Sequence, residues 1–253
     1  MSFIFINVFI IIQKLIHLQI ILVSVRTKYY KAVLPLTEMT KIQFFSHKTR
    51  KFYQLVPTRT IPTLKISGVP MHRHIKIDPL QDTLLKIKAV KPYGVVLDTC
   101  TGLGYTAIYA AKLPEVKKVI TIEKDENVLK IAKLNEASKE LFTNQKIKIF
   151  HADVTKKIKS FPNGFFDCII HDPPTFVLAP ELYCLNFYQQ LYRVLKKNAK
   201  IWHYCAEPGK MKGKSKLKSR IIKNLKSAGF KNVRYDEKSS GIIAKRVETP
   251  SKN

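Results

Sequence analysis

The run Val95-Val96-Leu97-Asp98-Thr99-Cys100-Thr101-Gly102-Leu103-Gly104 constrains this chain more than any other stretch. Its apolar-to-acidic start reads as a short buried strand, and the Gly-x-Gly behind it is a turn feeding a helix over residues 105–111. Downstream, apolar strands at 118–123, 146–151, 166–171 and 199–205 alternate with helical patterns at 126–137 and 180–196. A last strand pair, 232–235 and 242–245, turns at Ser239-Ser240-Gly241. This alternation predicts an α/β fold: a mostly parallel sheet with crossover helices. In such a sheet ligands bind at the carboxyl ends of the strands. Four acids fall at those ends, Asp98, Glu123, Asp153 and Asp172.

Gly102-x-Gly104-x-x-Ala107, with Glu123 about 20 residues on, fits a dinucleotide site as well as a nucleoside-sulfonium site. Asp98 separates the two. A carboxylate there repels a pyrophosphate seated on the following helix but pairs with the ammonium of an amino-acid moiety. S-adenosylmethionine is therefore the expected cofactor. Asp98 at its ammonium, Glu123 at its ribose hydroxyls and Asp153 at its adenine amino group, together with Thr99, Gly102, Leu103, Gly104, Lys124 and Val154, are the expected cofactor-binding residues. Plainer readings stand beside these: a glycine turn that only packs strand on helix, Glu123 complementing a helix dipole, and Asp153 as a helix cap.

The fourth core strand delivers Asp172-Pro173-Pro174-Thr175-Phe176. Consecutive prolines hold the backbone extended and keep the Pro173 carbonyl out of a helix. An exocyclic amine on a base is a poor nucleophile, because its lone pair is delocalised into the ring. If the Asp172 carboxylate and the Pro173 carbonyl each accept one amine N–H, the lone pair is turned toward the methyl donor, and Asp172 can take the released proton. Asp172, Pro173 and Pro174 are the expected catalytic set. The alternative is a loop whose prolines merely end a strand.

The net charge of +27 is unevenly distributed. Residues 1–88 hold 14 basic against 3 acidic residues, residues 89–195 hold 14 against 11, and residues 196–253 hold 17 against 4. A nearly neutral core between strongly basic flanks suits a polyanion gripped by the flanks, and RNA is the expected partner. A lysine-rich surface without a partner is the alternative. Lys210, Lys212 and Lys214 open a basic run to Arg220 that fits phosphate, or solvated charge. His72 and Arg73, in a proline-punctuated lead-in, are candidates to close over the pocket. Phe176 and Tyr183 are candidates to meet a base. Basic residues interleaved with rings over 26–53 suit either a base-stacking surface or a small strand-rich unit.

Residues 1–25 are apolar enough to suggest a membrane segment, but Gln13, Lys14, His17 and Gln19 interrupt them, and a Lys in mid-bilayer costs about 3 kcal/mol. Neither a basic leader nor a small-residue cleavage site accompanies the run. A membrane is thus not an expected partner. Cys100, Cys168, Cys184 and Cys205 lack metal-ligand spacing, which predicts a reducing, cytoplasmic setting with neither disulfides nor metal.

Over about residues 83–247 these motifs resemble the Rossmann-like S-adenosylmethionine methyltransferases. The resemblance implies a seven-stranded sheet with a reversed last strand. From Leu55 onward, Met71-His72-Arg73, Asp98 to Ile108, and Ile170-His171-Asp172-Pro173-Pro174 with Glu181-Leu182-Tyr183 look like the archaeal predicted methyltransferases grouped with spermidine-synthase-like proteins. Asp172-Pro173-Pro174 is also similar to the Asp/Asn-Pro-Pro-aromatic motif of nucleic-acid amino-methyltransferases. Here Thr175 holds the aromatic place and the ring follows at Phe176. The expected organisation is a basic extension over 1–54, a lead-in over 55–90 and a methyltransferase domain over 91–247. The expected activity is methylation of an exocyclic nitrogen in ribosomal or transfer RNA, cytidine ahead of adenosine. Protein glutamine methylation, aminopropyl transfer to polyamines and a non-catalytic RNA-binding scaffold are the rivals.

Overall fold

A computed structural model of the chain describes residues 41–205 and 214–247. The apolar run 1–25, the basic-aromatic stretch 26–40, Lys210 and Lys212 lie outside the described residues, and so does the side chain of Lys214.

A four-stranded antiparallel meander comes first: β1 (Gln43–Ser46), β2 (Lys51–Val56), β3 (Thr63–Ile66) and β4 (Val69–Pro70). Tyr53 and Leu64 are fully buried beneath it, while Phe45 and Phe52 are exposed. The meander therefore combines a small apolar core with solvated rings and lysines. β2 runs through the expected boundary at 54/55 and pairs with strands on both sides of it, so that boundary falls inside one sheet.

Helix α1 (Pro79–Val90) follows, with Asp78 accepting from the Gln81 N–H at 3.0 Å and a proline at its first position. The large sheet comprises β5 (Gly94–Asp98), β6 (Val116–Glu123), β7 (Ile147–His151), β8 (Phe166–His171), β9 (Leu195–Tyr204), β10 (Lys231–Asp236) and β11 (Gly241–Lys245). Their order is β10-β11-β9-β8-β5-β6-β7. All neighbouring pairs from β9 to β7 are parallel, and β11 runs antiparallel to both β9 and β10. The crossovers are α2 (Tyr105–Ala111), α3 (Glu126–Leu134), α4 (Lys139–Thr143), α5 (Val154–Lys157), α6 (Leu185–Val194) and α7 (Lys214–Ser227).

The central strands are apolar on both faces because helices cover both. Val96, Ile170 and Trp202 point to the face of α1 and α2; Leu97, Ile169 and Ile201 point to the face of α6 and α7. Two expected helices are shorter than their apolar patterns. α3 stops at Leu134, where Asn135 leaves helical backbone and its amide donates to the Tyr105 and Ser138 hydroxyls at 2.8 and 2.7 Å. The pattern over 180–196 splits into a 3₁₀ turn at Pro180–Tyr183 and α6, with Cys184 extended between them.

Candidate active site

Four side chains that end β5 and β6 or follow β7 and β8 lie at one edge of the sheet. The segment after β5 is tied to both neighbouring strands: the Thr99 N–H donates to the Ile170 carbonyl and the Thr101 N–H to the Ile122 carbonyl, each at 3.0 Å. Thr99 also donates its hydroxyl to His171 Nδ1 at 2.7 Å. Leu103 is fully buried beneath the turn. Gly104 has φ +81°, and a Cβ there would lie 2.5 Å from Leu141 Cδ2, so backbone and space both require glycine. Gly102 has φ +54° with open space where its Cβ would be.

Glu123 reaches back over this turn. Its Oε2 accepts from the Gly102 N–H and its Oε1 from the Asp125 N–H, both at 2.9 Å. Burial pushes its pKa up to about 6 against the pull of those two donors. Asp98 is fully buried; its Oδ2 accepts from the Thr121 hydroxyl at 2.8 Å, and among the described residues its Oδ1 has no hydrogen-bond partner. Burial raises its pKa to about 7. The charge argument from sequence treats Asp98 as an anion open to the ligand. Here it is closed off from solvent and poised near neutrality, so Glu123 is the more accessible acid over the turn.

Asp153 caps α5, its Oδ1 accepting from the Thr155 N–H and hydroxyl at 2.9 and 2.7 Å. Its Oδ2 lies 2.9 Å from the Lys124 ammonium. Burial disfavours its ionisation, but the Thr155 and Lys124 bonds outweigh that and hold the carboxyl below its usual range. The cap reading thus describes the contacts it makes. Val154 is buried behind it.

Asp172 stands one residue beyond β8, half-buried, with its Oδ2 2.7 Å from Lys86 Nζ. Among the described residues its Oδ1 accepts no hydrogen bond. Pro173 is buried, and its carbonyl is likewise without a donor among the described residues. The Pro174 carbonyl, by contrast, accepts from the Tyr183 hydroxyl at 2.8 Å. Tyr183 is only 3% exposed and packs edge-on against Phe176, with ring centroids 5.6 Å apart. In this structure it braces the proline loop instead of reaching outward. The Arg220 guanidinium lies 5.2 Å from the Phe176 ring centre.

Lys86 is the residue that sequence reasoning missed. Its ammonium sits 2.7 Å from both Asp82 Oδ2 and Asp172 Oδ2, with 3% of its side chain exposed. Asp82 is fully buried and bonds Arg73 at 3.1 Å. Burial opposes the ammonium, but the two carboxylates outweigh it and raise the Lys86 pKa. Arg73 thus joins the network from the lead-in. His72 lies beside it, its Nδ1 3.0 Å from the Thr63 hydroxyl and its ring 5.2 Å from that of Tyr105. Burial first and Lys86 second lower its pKa to about 3.

Residues 96–198 match the family model described as a methyltransferase domain. The fold is a Rossmann-like methyltransferase fold. An uncharacterized protein of Methanocaldococcus jannaschii is 46% identical over 195 residues, covering 76% of this chain and 66% of the relative. A polyamine aminopropyltransferase of Prochlorococcus marinus is 31% identical over 130 residues, covering 49% and 44% respectively. The chain thus spans just under two thirds of the first relative and less than half of the second. Among solved structures, spermidine synthase from Thermotoga maritima superposes with a TM-score of 0.64 at 20% identity, over 84% of this chain and 75% of that one. A likeness at that identity speaks for the methyltransferase-type fold alone. No helix among the described residues is long and apolar enough to cross a membrane.

Proposed function

We propose that this chain methylates an exocyclic amine nitrogen of a base in ribosomal or transfer RNA, cytidine ahead of adenosine, using S-adenosylmethionine. The observation that carries the reading is Asp172: one carboxylate oxygen already binds an N–H donor, and among the described residues neither the other oxygen nor the adjacent Pro173 carbonyl accepts a hydrogen bond. Methyltransferase domains of the matching family generally use S-adenosylmethionine. The residues present fit that cofactor. Gly102 leaves open space over the turn, Glu123 is bonded to the Gly102 N–H with acceptor capacity beyond its two backbone donors, and among the described residues Asp98 Oδ1 is a buried acceptor without a partner. Bound there, the cofactor supplies an electrophilic methyl group on a sulfonium.

The chain's own residues do the rest. Asp172 Oδ1 and the Pro173 carbonyl accept the two N–H groups of the amine and draw its lone pair out of conjugation with the ring. Tyr183 fixes the loop by holding the Pro174 carbonyl, so the Pro173 carbonyl keeps its aim. Asp172 then accepts the proton that the alkylated nitrogen loses. The target base has to be unstacked to reach Asp172, which favours a loop over a duplex. Asp172→Ala is expected to keep S-adenosylmethionine binding, read by calorimetry, while single-turnover transfer to RNA falls at least about a hundredfold. Unchanged turnover removes Asp172 from the chemistry.

A second reading, aminopropyl transfer to a polyamine, is favoured by the likeness to the Prochlorococcus enzyme and by the acids on this edge of the sheet. It predicts that decarboxylated S-adenosylmethionine and putrescine yield spermidine with the purified chain.

A further inference from the structure

We propose that Lys86 sets the charge of the acceptor, so that the site admits neutral amine nitrogens and refuses cationic amines. The proposal rests on the reading of Asp172 as the carboxylate that holds the acceptor nitrogen. Its basis is what surrounds the Lys86 ammonium: Asp82 and Asp172 oxygens at 2.7 Å, and the rings of Trp202 and Tyr204 with centroids 5.6 Å away. Two carboxylates and two aromatic faces in a buried recess are the groups that bind a soluble ammonium. The chain fills this place with a side chain of its own.

The charge balance leads to the same conclusion. Arg73 and Lys86 offset Asp82 and Asp172, so the recess offers an incoming cation no net negative charge. A cation seated on the remaining Asp172 oxygen also lies close to the Lys86 ammonium in a poorly screened environment, where like charges repel strongly. A neutral amine on a base meets no such opposition, because it needs only an acceptor for its N–H. Lys86 thereby positions Asp172 as a hydrogen-bond acceptor while cancelling its attraction for polyamines. This account also reconciles a spermidine-synthase-like fold with a site suited to a base nitrogen.

The test uses the full chain with S-adenosylhomocysteine present, titrated with putrescine by calorimetry. Wild type and Lys86→Arg are expected to show no binding at millimolar putrescine. Lys86→Met leaves Asp82 paired with Arg73 and Asp172 without a cation, one negative charge in excess, and it is expected to bind putrescine at least about tenfold more tightly than wild type. Should Lys86→Met fail to fold, Lys86→Gln, which keeps N–H donors for the two carboxylates but removes the cation, leaves the same excess negative charge and carries the same expectation. Putrescine binding by wild type, or folded variants that gain none, overturns the proposal. Methyl transfer to RNA is assayed on the same preparations. RNA left unlabelled by a wild type that still refuses putrescine counts against the RNA reading alone, whereas spermidine formation by wild type counts against both.

Discussion

His171 and His203 meet inside the sheet on the α6 side, with ring centroids 4.4 Å apart. Their partners fix the tautomers. His171 Nε2–H donates to the Leu182 carbonyl at 3.0 Å while its Nδ1 accepts from Thr99, and His203 Nδ1–H donates to the Tyr204 carbonyl while its Nε2 accepts from Tyr188. Burial lowers His171 to about 4 and His203 well below its ordinary value. Between pH 4 and 6.5 the unfolded chain therefore binds more protons at His171 than the folded one, and the stability this residue contributes is lost as pH falls through that window. The advantage of wild type over His171→Asn, measured as the urea midpoint, is expected to shrink from pH 7 to pH 4.5. Asp98 has the opposite sign. Its folded pKa of about 7 exceeds the unfolded value of 3.8, so its contribution is fully present below 3.8 and is lost as pH rises through 7. Asp98→Asn is expected to gain stability relative to wild type between pH 5 and pH 8; an unchanged difference would sink this assignment. At this scale the acids were legible in the sequence because each ends or follows a strand, whereas their burial was not. Lys86 carried a signal that was missed. Positions 79, 82, 83, 86, 87 and 90 form the buried stripe of α1, and two of them, Asp82 and Lys86, are charged.

The elements that position the site depend on a few contacts. Gly104→Ala combines a left-handed backbone with a Cβ driven into Leu141, and it is expected to cost about 3 kcal/mol in urea unfolding. Gly102→Ala shares the backbone strain without the collision and should cost about 1 kcal/mol. Equal losses would contradict the packing argument. The meander is docked on the N-terminus of α3 through Tyr53, whose hydroxyl donates to Asp125 Oδ2 at 2.6 Å. Tyr53→Phe removes a bond to a charged acceptor, worth about 2 kcal/mol, and should speed amide exchange in β2 and β3 while leaving β5 and β8 protected. The strands of the large sheet were legible to within a few residues because continuous apolar runs bounded by turns have few other uses in an alternating chain. The break at Cys184 was not, since it follows from tertiary bonds: Tyr183 to Pro174 and His171 to Leu182 pull the 3₁₀ turn away from the axis of α6. The meander was legible only as one of two alternatives, because short strands with exposed rings resemble a nucleic-acid surface in composition.

The whole molecule places an acid-lined edge, at the carboxyl ends of the central strands, in a chain whose basic charge lies in its flanks. The α/β order was readable from alternation, because crossover rules leave few other topologies, whereas the reversed β11 was expected only from the resemblance to the methyltransferases. Substrate choice is not written in topology, since one fold hosts many chemistries. The most direct measurement is transfer of labelled methyl from S-adenosylmethionine, by the wild-type chain, to total RNA from cells lacking it, followed by nucleoside mass spectrometry. Label in a base-methylated cytidine or adenosine is the predicted result. Unlabelled RNA, with label in the protein fraction or with spermidine made from the decarboxylated cofactor, would contradict it.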